Sequence, residues 1–163
     1  MHVKDMLRGA WGRSKMVTEM LLGDLSDAEI LQRPVPEANH IAWQLGHLVL
    51  SLNYFGEAVQ PGAMPKLPAG FAEQHAKETA GSDDASAFLS KSDYLRLLDE
   101  QRQALAGLLD GLPESRLGDA APAEMQGYAP KIIDVLELTA AHELMHSGQI
   151  TVVRRKLGKP VAF

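Results

Sequence analysis

Apolar residues recur every three or four positions along most of this chain, the period of an amphipathic α-helix, and no run of β-branched residues alternates with period two. From about Val3 to Leu22 the stripe is Met6, Leu7, Ala10, Trp11, Val17, Met20 and Leu21, with Gly23 where a helix C-cap belongs. Ser26, Asp27, Ala28 and Glu29 then form a capping-box pattern for a short turn through Leu31, and Pro34 and Pro36 break the chain. Asn39 is the expected N-cap of a second long helix, from His40 to about Val59, carrying Ile41, Leu45, Leu48, Val49, Leu52 and Phe55.

Between Gln60 and about Lys91 the period is lost among Pro61, Gly62, Pro65, Pro68, Gly70 and Gly81, with a short helix expected within Gly70 to Thr79. Helix hairpins are usually closed by about 2–8 residues. A connection this long suits a crossover that leaves the helices on either side of it parallel. Ser90 or Ser92 caps a third helix from Asp93 to about Leu109, striped by Leu95, Leu98, Leu105, Leu108 and Leu109 and ended by Gly111 and Pro113. After a loop through Gly118, Pro122 and Gly127, Pro130 suits the first turn of a fourth helix that runs to Leu157, with Gly158 beyond it. Arg154, Arg155 and Lys156 in its last turn complement the helix dipole. The expectation is an all-α, single-domain four-helix bundle over residues 1–163, without internal repeats.

At 163 residues the chain can bury a core without covalent staples, and it contains no cysteine. That excludes disulfides, thiolate zinc sites and a thiol nucleophile, and agrees with a reducing, cytoplasmic setting. The net charge of −5 provides no broad basic footprint for nucleic acid. Charges scattered through the first eight residues argue against a signal peptide, and no apolar run approaches the ~20 residues of a membrane span, so neither nucleic acid nor membrane is an expected partner.

The chemistry lies in the histidines. His142 and His146 are four apart, so on a helix both rings leave one face within reach of a common ion. His47, in the middle of the second long helix, is the expected third ligand, and three protein ligands leave a position open for chemistry. His40 is about 10.5 Å from His47 along the helix axis, too far to share an ion with it, and reads as a helix-end or rim residue. His2 and His75 fall at a terminus and in the long connection, where solvated histidine is the default. His142-Glu143-Leu144-Met145-His146 also fits the zinc-protease pattern. No His, Glu, Asp or Cys follows His146 to complete such a site, and no aligning β-sheet is expected, so the protease reading fails.

The stretches Asn39-His40-Ile41-Ala42-Trp43-Gln44-Leu45-Gly46-His47-Leu48 and Ala141-His142-Glu143-Leu144-Met145-His146-Ser147-Gly148-Gln149-Ile150, followed by Arg154-Arg155-Lys156-Leu157-Gly158, resemble the two signature regions of the DinB/YfiT-like superfamily. The resemblance implies an up-down-down-up bundle with a long crossover between the second and third helices, frequent homodimers, and a histidine triad holding zinc or nickel. Carried over one by one, the triad falls on His47, His142 and His146. Some relatives are S-transferases or isomerases that use low-molecular-weight thiols such as bacillithiol or mycothiol, and others resemble hydrolases.

A divalent ion on three neutral imidazoles keeps its double charge and lowers the pKa of a bound thiol or water. Any thiolate must arrive with a cosubstrate, because the chain has none of its own. The reading is a metal-dependent enzyme acting on a small molecule, of thiol S-transferase or hydrolase type; the alternative is a non-catalytic bundle that binds metal or ligand. Glu143, about 100° round the helix from His142, misses the ion. It is either a general base or, more simply, a salt-bridge partner of a neighbouring helix. Gln149 follows His146 by three residues and is expected to face the same cavity, orienting a ligand or water. Trp43 suits the pocket wall, and Tyr54, Tyr94 and Tyr128 are candidate hydroxyl donors.

Overall fold

The computed structural model of the protein describes residues 2–160, and among them it is helical without a β-strand. Four long helices, α1 (Val3–Leu22), α3 (Ile41–Val59), α5 (Lys91–Gly111) and α6 (Ile132–Lys156), surround the core, with the short α2 (Asp27–Ile30) and α4 (Phe71–Gln74) between them. The capping box of α2 is formed, Ser26 Oγ accepting from Glu29 N and the Glu29 carboxylate from Ser26 N. Ser90, rather than Ser92, caps α5. Besides α5, which begins at Lys91 rather than Asp93, two starts differ from the sequence expectation. His40, not Asn39, caps α3, its Nδ1 accepting from Trp43 N at 3.0 Å. Pro130 stays outside α6, because its carbonyl accepts from Ala121 N and holds the preceding loop against Lys131.

Pairwise bonds give the helices their relative directions. Along α1 and α6 the partners advance together, Trp11 with Leu136, Ser14 with Glu143, Thr18 with Ser147 and Leu21 with Arg154. Asn53 of α3 meets Gln101 of α5 at 3.1 Å, and His75 joins Tyr94 of α5 to the notch at Gly46 of α3, so these two helices also run alike. Gln44 of α3 meets His146 of α6, whereas Phe55 lies against His142, which makes that pair antiparallel.

The α1 stripe is redrawn by this packing. Met6 and Met20 are exposed, while Ser14 and Thr18 are buried in a polar seam against Glu143 and Ser147. Arg154 does more than complement the dipole of α6: it is buried, donating to the Asp24 carboxylate and to the Leu21 and Pro160 carbonyls.

The connection from α3 to α5 is bonded along its length. Two glycines of α3 admit it closely, Gly56 receiving Met64 and Gly46 receiving the ring of His75. His75 is therefore not the solvated residue expected of a loop but is 1% exposed. Its Nδ1 donates to Phe71 O at 2.9 Å, its Nε2 accepts from Tyr94 Oη at 2.7 Å, and Tyr94 Oη accepts from Leu89 N. Burial pushes the Tyr94 phenol up to about 12, so it remains a donor. His40 is likewise fully buried rather than on a rim, and its Nε2 donates to Ser82 O. Trp43 Nε1 donates to Ala76 O, Asn53 to Pro65 O, and the Arg33 guanidinium to Ala80 O and Ser82 O.

A Cβ at Gly46 would lie 1.9 Å from His75 Cδ2. Alanine favours a helix interior over glycine by about 1 kcal/mol. The clash outweighs that, so Gly46→Ala is expected to destabilise by about 2–3 kcal/mol net, read from urea denaturation midpoints.

Candidate metal centre

On α3, Gln44 and His47 are one turn apart and face α6; on α6, His142 and His146 are one turn apart and face back. The three imidazoles each offer a nitrogen within 4.8 Å of the other two. His142 Nε2 and His146 Nε2 are 3.2 Å apart. Two nitrogens held about 2.1 Å from one ion at a tetrahedral angle would be about 3.4 Å apart, so this spacing suits a shared ion. The ring of Trp43 stacks on His47 at 5.0 Å and 6° and holds it against the pair on α6.

The protonation states also suit a ligand set. Burial, followed by the charge of His47, pushes His142 down to about 4. Burial, followed by His142 and His47, pushes His146 down to about 3. His47 is lowered by burial and then by Lys77. All three rings are therefore neutral at pH 7, the form that binds a cation.

Gln44 is a further residue of the site, one that no motif in the sequence singles out. Its amide nitrogen donates to Asn39 O at 2.9 Å, which leaves Oε1 to accept from His146 Nδ1 at 3.1 Å. The proton of His146 is thereby held on Nδ1 and the Nε2 lone pair is left toward its two neighbours. Its position three residues before His47 was the available signal, because that spacing puts both on one helix face. Gln44→Ala is expected to weaken zinc binding by about 10–100-fold, measured by chelator competition, and Gln44→Glu, which keeps an acceptor, to recover most of it.

The other residues named from sequence are dispersed. Glu143 is buried and turned to α5 and α1, its carboxylate 2.5 Å from Arg102 Nη2 and 3.0 Å from Ser14 Oγ. Gln149 is exposed in a groove that Gln44 also lines, with Val35, Val152, Arg155 and Lys156. Tyr94 is committed to His75, while Tyr54 and Tyr128 are exposed. His2 is exposed at the start of α1.

Residues 10–150 match the sequence model of the DinB superfamily. No curated protein matches the chain. Among solved structures, a conserved protein from Enterococcus faecalis is similar at a TM-score of 0.75 with 20% identity, over 98% of this chain and 99% of that one. At that identity the likeness is one of fold.

Proposed function

Because this chain belongs to the DinB superfamily, whose model covers most of its length, we propose that it is a metal-dependent enzyme on a small molecule, with His47, His142 and His146 as the ligands of one zinc or nickel ion. The observation that carries the reading is the convergence of three neutral imidazoles from two helices within 4.8 Å. The pairwise bonds of the long helices support the up-down-down-up arrangement for the bundle. Met145 and Val152, exposed and seven residues apart on α6, offer an apolar surface for a homodimer.

When bound, the divalent ion supplies the Lewis acidity that brings a thiol or a water to its anionic form near neutral pH. The remaining work falls to the chain's own residues. Trp43 braces His47, and Gln44 holds the His146 proton on Nδ1. Gln149, exposed in the groove that Gln44 also lines, is the candidate to orient a ligand. With its carboxylate held by Arg102 and Ser14, Glu143 serves to position α6, and this reading gives it no proton to move. The sulfur of an S-transfer has to come from a low-molecular-weight thiol, since the chain has no cysteine.

The test is elemental analysis of the purified protein, followed by cobalt substitution and titration with a small thiol. About one zinc or nickel per chain, and a sulfur-to-cobalt charge-transfer band on adding the thiol, are expected. Metal without any thiol response moves the reading to hydrolysis or to a non-catalytic metal protein. A chain that neither contains nor takes up zinc or nickel sinks it.

A further inference from the structure

Next to the metal centre, and divided from it by Leu52, Thr139 and Glu143, a half-open chamber of about 230 Å³ lies where the long helices meet. Trp11 and Gly12 of α1, Leu52 of α3, Leu105 and Ala106 of α5 and Thr139 of α6 form its apolar walls. Protein interiors are packed with few voids larger than a water molecule. An enclosed cavity of about 150 Å³ lined by apolar side chains accepts benzene, so this half-open chamber of about 230 Å³ has room for one aromatic ring. It is separate from the metal centre. The space beyond Leu52, Thr139 and Glu143, where Phe55 and His142 stand, has no room for a water.

Long charged side chains crossing between α1 and α5 roof the chamber. Arg8 pairs with Asp5 and Asp110, Lys15 with Glu19 and Asp99, and Arg102 with Glu19, Asp99 and Glu143. Three cations against five carboxylates leave no positive excess to draw in an anion. One donor in this roof is unused: Arg102 Nε is buried without a partner, the only such side-chain atom among the described residues. Burying an N–H without an acceptor is costly, and a ligand oxygen would relieve that cost.

We infer that this chamber is a second binding site, for a neutral monocyclic aromatic molecule bearing one hydrogen-bond acceptor, its ring between Trp11 and Leu105 and its oxygen toward Arg102. The site does not depend on the metal reading, and its test needs no metal.

Acetophenone, ethylbenzene and benzoate are titrated into the ¹⁵N-labelled full chain, and the two indole N–H signals are told apart with Trp43→Phe. Acetophenone is expected to shift the Trp11 signal saturably and to bind about five- to tenfold more tightly than ethylbenzene, as one added hydrogen bond would give. Benzoate should bind more weakly than acetophenone. A Cβ at Gly12 meets nothing within 4 Å. Gly12→Leu and Ala106→Leu should therefore fill the chamber and abolish binding while melting no lower than the parent protein. Should both fail to fold, nuclear Overhauser contacts from ligand to the Leu52 and Leu105 methyls in the parent protein locate the site directly. Arg102→Lys keeps the charge, removes Nε and is expected to erase the advantage of acetophenone over ethylbenzene. No saturable binding by any probe, or binding that persists in a folded filled variant, overturns the site. An undiminished acetophenone preference in Arg102→Lys overturns the role given to Nε.

Discussion

Alanine at His146 is expected to take the protein from about one bound zinc or nickel per chain to essentially none after dialysis. His146 is the most buried of the three imidazoles and the one whose tautomer is set, by Gln44. Two remaining imidazoles still offer a chelate, so the loss shows as affinity rather than as an absolute failure to bind. A fall of three orders of magnitude or more corresponds to about 4 kcal/mol of binding free energy. Chelator competition on the parent, His47→Ala and His146→Ala proteins measures it. Full occupancy in either variant under those conditions would remove that residue from the ligand set. The metal-free variants are expected to remain folded, because the neutral rings already pack against Trp43 and Phe55.

Glu143→Ala is expected to have the second-largest effect, a destabilisation of about 3 kcal/mol measured by urea unfolding. The Glu143 side chain is 5% exposed and that of Arg102 is 12% exposed, so removing the carboxylate strands a buried guanidinium. Breaking one partner of a buried pair typically costs about 3–5 kcal/mol. The lower end applies here because Asp99 remains 3.0 Å from Arg102. Ser14 also loses its acceptor on Glu143, and its single hydroxyl proton turns to the Trp11 carbonyl, 3.1 Å away. Glu143→Gln retains an acceptor for Ser14 and should cost about half as much. If Glu143 positions α6 rather than moving a proton, the folded Gln variant keeps its metal content and the pH profile of whatever turnover is found.

The parts of this molecule that were legible in sequence are those in which one helix face states its own purpose. The span of α1, the capping box at Ser26 and the convergence of His142 with His146 each follow from spacing within a single element. His47 needed a partner helix to be interpreted, and the same-face pair His142 and His146 on another long helix supplied one, with the resemblance of its flanking residues pointing the same way. What stayed hidden depends on neighbours distant in sequence. Ser14 and Thr18 look like gaps in an apolar stripe until Glu143 and Ser147 are placed opposite them. His75 sits in a segment without periodicity, and only the bare backbone of Gly46 and the hydroxyl of Tyr94 make it a core residue. Arg154 reads as a dipole partner until Asp24 and the Leu21 carbonyl close around it. The chamber under Arg8, Lys15 and Arg102 belongs to no single helix, which is why no stripe announced it.

The clasp of His75 between Gly46 and Tyr94 also bears on how turnover would be timed under the proposed function. Enzymes that cover their sites with a mobile segment often have its opening as the slow step. Here the long connection is held from Pro65 to Ser82 by bonds to α3, to Tyr94 and to Arg33, and two of its side chains sit in notches that no other residue type at Gly46 or Gly56 would leave open. It is a wall rather than a door, so on the proposed function the exchange of small molecules at the histidines has no flap in that segment to wait for.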